Sequence, residues 1–145
     1  MRKNGWKHME NNQTSNSKLQ TSDRAQREPH VFDLEDRTFH FAEACRDFVL
    51  HLPKTVPNFE YGRQLIRASA SPAANYIEAN ESLGEKDFVH KMKICRKESK
   101  ECRLWLRLCL MDSNGVLQET RARLVQEASE LTKIFNAIVQ RSMPS

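Results

Sequence analysis

Residues 91–110 read KMKICRKESKECRLWLRLCL, and their reading decides the fold. At 100° per residue, Phe88, Met92, Cys95, Ser99, Cys102, Trp105, Leu106 and Cys109 share one face, and Lys86, Lys93, Arg96, Lys97, Lys100, Arg103 and Arg107 occupy the opposite arc. This is the pattern of one long amphipathic helix, predicted over 85–111. The three cysteines stand seven residues apart, about 10 Å per step at the helical rise. Zinc sites pair their ligands at much closer spacings, so no single ion can bridge neighbours here, and the thiols read as small core residues. Cys45 takes the same reading on another helix. Neither a metal nor a cofactor is expected. Glu98 falls toward the core edge, where an unpaired carboxylate is costly, and Arg63 or Arg67 could partner it.

Working outward, 145 residues suffice for one domain and a tail. Only four glycines and five prolines argue against an all-β chain, which needs a turn every ten residues or so. No apolar run is long enough to span a membrane, and residues 1–30 lack the apolar block of a signal peptide, so a cytosolic protein is expected. Residues 1–30, rich in Asn, Gln, Ser and Thr and including Trp6, are expected to form a disordered polar tail, with the folded domain over 31–142.

A first helix is predicted over 34–52, with Asp33 as N-cap and Phe41, Ala42, Cys45, Phe48, Val49 and Leu52 as its core stripe. Phe39 and Leu50 fall on its far side, almost in line, which marks an oligomer interface. LPKTVPNFE then makes a turn, and Asn58 is expected to cap the second helix. That helix would bury Tyr61, Leu65, Ile66, Ser69, Ala73, Tyr76 and Ile77, with a kink or break near 70–71 ahead of Pro72. NESLGEKD and DSNG supply the next two turns, and a last helix over 117–141 points Leu124, Ala128, Leu131, Ile134, Phe135, Ile138 and Val139 inward. Four helices joined by short turns imply an all-α, antiparallel up-down-up-down four-helix bundle.

Charge is divided by helix. Residues 33–52 hold two basic against five acidic groups, whereas residues 85–111 hold eight basic against four acidic. The stretches FDLEDRTFHFAEACRDFVLHLP, YGRQLIRASASPAANYIEANES and EKDFVHKMKICRKESKECRLWL, in this order, resemble the four-helix bundle family associated with 23S rRNA intervening sequences. The likeness runs from Phe32 to about Ile138 and rests on the GRQL-x-R block, the Asn75 and Glu78 pair, the Asp87 and Phe88 entry and the KES-x-E block. Two positions depart from the family pattern: Ala79, where Gly is common, and Ser71, where a β-branched apolar residue is common. The resemblance implies assembly into a homopentameric ring and a link to RNA. A related branch is the accessory protein of diversity-generating retroelements, which assists a reverse transcriptase.

An enzyme needs convergent groups in a cleft. The five histidines, His8, His30, His40, His51 and His90, form no H-E-x-x-H pair, and neither a Gly-rich phosphate loop nor a G-x-S-x-G turn occurs, so no catalytic residue is assigned. Arg63, Arg67, Asn75, Glu78 and Glu98 read as a paired polar network that sets helix register, with a ligand-recognising polar site as the competing reading. The basic arc also has two readings: phosphate contacts to nucleic acid, or a solvated face that pairs at most with the acidic first helix of a neighbouring subunit. The expectation is a non-enzymatic homo-oligomeric ring that binds nucleic acid, RNA before DNA. Its alternative is an oligomeric scaffold or accessory protein for a protein partner such as a reverse transcriptase.

Overall fold

The computed structural model describes residues 33–143. The expected tail over 1–30, with Trp6, and the capping role expected of the Asp33 side chain lie outside what it describes. Among the described residues there are four helices and no strand: α1, Asp33–Leu50; α2, Val56–Asn80; α3, Glu85–Leu108; and α4, Gly115–Ser142. This all-α arrangement fits a four-helix bundle. No helix among the described residues is long and apolar enough to cross a membrane.

α1 buries Phe41, Cys45 and Phe48 of the expected stripe, leaves Ala42 and Val49 half-buried, adds Leu34 at its start and stops at Leu50. Leu52 completes the stripe from the turn beyond, where it is still buried. Thr38 is also fully buried, and its hydroxyl donates back to the Leu34 carbonyl at 2.8 Å, so this hydroxyl is not stranded.

α2 departs from expectation in three respects. Its N-cap is Thr55, whose hydroxyl accepts from the Asn58 backbone N–H at 3.2 Å, and Pro57 sits in the first turn, where a missing N–H costs nothing. Asn58 is therefore released from capping and sinks to 3% exposure as a clasp. Its Nδ2 donates to the carbonyls of Pro53 at 2.9 Å and Leu110 at 3.0 Å, while its Oδ1 accepts from the Leu110 N–H at 2.8 Å. Secondly, of the kink or break expected near 70–71 the break is absent: the helix runs through Pro72 to Asn80. Pro72 is fully buried, and its carbonyl accepts from the Cys95 thiol at 3.5 Å, so packing against α3 offsets the lost backbone bond. Thirdly, Ile66 and Ile77 face outward at 44% and 48% exposure. Leu65, Ser69 and Tyr76 are buried as expected, and Gly62, Ala68, Pro72 and Ala79 complete the face where the isoleucines were expected. Small residues let the backbones approach closely: a Cβ on Gly62 would lie 2.9 Å from the Val49 Cγ1.

α3 and α4 follow their stripes. Met92, Cys95, Ser99, Cys102, Leu106 and Cys109 meet Leu117, Leu124, Ala128, Leu131, Phe135 and Val139 in one core, with Phe88, Trp105, Ile134 and Ile138 packed at its edge. Asn114 caps α4 by accepting from the backbone N–H groups of Val116 and Leu117. Arg121, in the second turn of α4, donates to the Cys109 carbonyl at 3.1 Å and so satisfies an end of α3. Arg37 of α1 reaches Glu127 of α4 through two bonds, at 2.6 and 3.0 Å, and Glu130 at 2.8 Å.

Candidate functional site

The basic arc of α3 is where the sequence puts its densest charge, and the structure divides it in two. Lys97, Lys100, Arg103 and Arg107 are exposed, and the half-buried Arg96 donates to the Asn136 Oδ1 of α4 at 2.9 Å. These five line an open groove of about 850 Å³ whose other wall is α4. Lys133 of α4 enters the same groove and makes six cations. Glu101, the only acid among the described residues that line it, is drawn aside by Arg67 at 3.4 Å. Leu104, at 48% exposure, gives the floor an apolar strip, and Leu108, at 40%, continues the outward face.

Lys86 and Lys93 do not line this groove. They lie toward the start of α3 beside Val89, His90 and Met143, along a smaller hollow of about 410 Å³. Lys91, just off the arc, is engaged by Glu78 at 2.7 Å, and this hydrogen bond raises its pKa. Lys133 carried no signal in the sequence. Its relation to the arc depends on which side of α4 flanks α3, and periodicity within α4 alone does not specify that.

Of the five residues grouped as a polar network, the structure joins Arg67 to Glu98, at 3.4 Å. Glu98 is 7% exposed, so the partner expected for it is Arg67 and not Arg63. Asn75 turns to its own helix, donating to the Ser71 carbonyl and hydroxyl at 2.9 and 3.0 Å, and Glu78 holds Lys91. Arg63 has neither an ion pair nor a hydrogen bond among the described residues. It borders a separate apolar groove of about 320 Å³ at the α1–α2 corner, with Lys54, Val49, Leu52, Phe59 and Ile66. Phe39 and Leu50 are exposed at 57% and 69%.

All four cysteines are buried and free. Burial pushes the Cys45 and Cys95 thiols up to about 12 and Cys109 to about 11, and it raises Cys102 as well. A thiol held protonated in this way is a poor nucleophile and a poor metal ligand at neutral pH. Among the described residues, no three His, Cys, Asp or Glu side chains come together where they could hold a metal ion. His40, His51 and His90 all stand exposed, His40 beside Glu43 at 3.7 Å and His51 on the Asp47 carbonyl at 2.7 Å. Among the described residues the arrangement thus offers an extended cationic groove and an apolar corner.

Comparison with known proteins agrees with this helical frame. The profile of the 23S rRNA-intervening sequence protein family matches residues 32–137. A crystal structure of a protein of unknown function from the S23 ribosomal protein family of Bacteroides thetaiotaomicron VPI-5482 is similar, with 25% sequence identity and a TM-score of 0.60. The alignment covers 73% of this chain and 97% of that one. No curated protein matches the chain.

Proposed function

The chain belongs to the 23S rRNA-intervening sequence protein family, and we propose that it is a non-enzymatic, cytoplasmic protein that assembles as a homopentameric ring and binds RNA through phosphate contacts. The observation that carries this reading is the α3–α4 groove, where Arg96, Lys97, Lys100, Arg103, Arg107 and Lys133 converge and the one acid is already paired. Arg and Lys neutralise phosphates at little structural cost, and the released counterions supply affinity without base readout. Among the described residues no aromatic side chain lines the groove, so the groove offers no stacking platform of the kind single-strand readers use and sequence preference is weak. An antiparallel up-down-up-down course accounts for Asn58 at the start of α2 meeting Leu110 past the end of α3, and for Lys91 early in α3 meeting Glu78 late in α2. Ring symmetry repeats the groove, and avidity then sums weak contacts along a long RNA.

The test is the triple variant Lys97→Glu, Lys100→Glu and Lys133→Glu, measured against several RNA sequences between about 50 and 200 mM salt. Six phosphate contacts give a slope of log affinity on log salt of about −4 per protomer, and removing three lowers its magnitude by about 2. Affinity should fall for every sequence alike, while light scattering still gives about five times the 16.9 kDa chain mass. A folded triple variant of unchanged mass that binds as the parent does would reduce the groove to a solvated face. The accessory-protein reading would then take over, with exposed Leu104 and Leu108 among the cations suited to an acidic amphipathic partner.

A further inference from the structure

The outward face of α2 carries a line of apolar side chains that the bundle does not use. Phe59, Ile66 and Ile77 are exposed at 61%, 44% and 48%. Steps of seven and eleven residues keep them within about 20° of one line along the helix. α1 shows the same device, since Phe39 and Leu50, exposed at 57% and 69%, are also eleven residues apart. Phe39 to Leu50 and Ile66 to Ile77 therefore span equal lengths, about 16 Å at the helical rise. Two ridges of equal pitch can lie side by side in register.

The charges beside these ridges differ in balance. Around Phe39 and Leu50, α1 displays Glu35, Asp36, Glu43 and Asp47 and one cation, Arg46, which Asp47 holds at 3.0 Å; the Glu35 and Asp36 side chains have neither an ion pair nor a hydrogen bond among the described residues. Around Phe59 and Ile66 stand Lys54 and Arg63, both exposed and both without an ion pair among the described residues, with Glu60 as the acid beside Phe59. The apolar groove at the α1–α2 corner, floored by Val49 and Leu52, opens between these two cations. Like-with-like contacts are less favourable: α1 on α1 brings together two faces of net negative charge, and α2 on α2 two faces that each carry Lys54 and Arg63.

We propose that copies of this chain join head to tail, the outer face of α1 of one copy packing along the outer face of α2 of the next, with Phe39 at the α1–α2 groove and the α1 acids against Lys54 and Arg63. This rests on the oligomeric reading above and names its contact. An interface between two different surfaces is heterologous, and repetition with a closing rotation makes a ring. It also leaves the α3–α4 groove free on every subunit.

The experiment uses the full chain in two variants, Phe39→Asp, which spoils the α1 surface, and Ile66→Asp, which spoils the α2 surface. Each alone should lose the ring by light scattering while keeping its helical circular dichroism. Mixed, they retain one good surface each, and a pair of about twice 16.9 kDa should form. Arg63→Glu, a change at an exposed position that leaves the core intact, should weaken assembly by itself and serves if either Asp variant fails to fold. A parent chain that is monomeric would overturn this contact and the ring together. A parent ring that survives both Ile66→Asp and Arg63→Glu would overturn the contact alone, as would two monomeric variants that stay monomeric when mixed.

Discussion

Replacing Asn58 by Ala removes a side chain that ties the α1–α2 turn to the end of α3, across 52 residues of sequence. Three bonds are lost, to the Pro53 carbonyl, to the Leu110 carbonyl and from the Leu110 N–H, at 2.9, 3.0 and 2.8 Å. Each contributes about 1 kcal/mol net, and a stranded buried group adds to the cost. Leu110 is 49% exposed, so water can reach part of what is freed there, and the total should be about 2–3 kcal/mol. For a folded unit of this size that lowers Tm by roughly 10–15 °C. Asn58→Asp separates the clasp from simple packing. Its carboxylate can still accept from Leu110 but sets an oxygen against two carbonyl oxygens, so at neutral pH it should cost at least as much as Ala and recover in acid as the carboxyl protonates. Urea and thermal unfolding followed by circular dichroism at fixed protomer concentration measure both. A loss below about 0.5 kcal/mol for Asn58→Ala, with an Asp variant indifferent to pH, would refute the clasp.

Two further outcomes concern packing and titration. Gly62→Ala gains about 1 kcal/mol of helix propensity but drives its Cβ to 2.9 Å from Val49 Cγ1, a stiff β-branched side chain, so it should destabilise the parent and stabilise a Val49→Ala background; additivity in that double-mutant cycle would show that the two helices are not in tight contact. The buried thiols titrate higher in the folded chain than their ordinary value of 9.0, so their contribution is complete below that pH and is lost as pH rises through about 11 to 12. Stability should therefore fall above about pH 9, by up to about 1.4 kcal/mol per unit for each thiol, and Cys95→Ala should flatten the decline. An equal alkaline slope in that variant would assign the loss to other groups.

What the sequence determined by itself is whatever lies within one helix. The period of residues 85–111 is a property of a single segment, so Met92, Cys95, Cys102 and Cys109 were legible as core, and Lys97 and Lys100 as outward. The turns were legible for the same reason, though Thr55 and Asn58 compete for one cap within four residues, and only the place of Leu110 in space decides which of them is drawn inward. Tertiary structure alone decided which faces meet. Periodicity treats Ile66 and Ala68 by hydrophobicity, whereas close packing treats them by size: α2 turns Gly62, Ala68 and Ala79 inward, and its isoleucines are left on the surface. The facing of all four helices together puts Lys133 in one groove with Lys100, Arg37 onto Glu127 some 90 residues away, and Arg67, not Arg63, onto Glu98. A groove between helices depends on the rotation of each helix about its axis, and this rotation is set by the volumes of side chains on two helices at once.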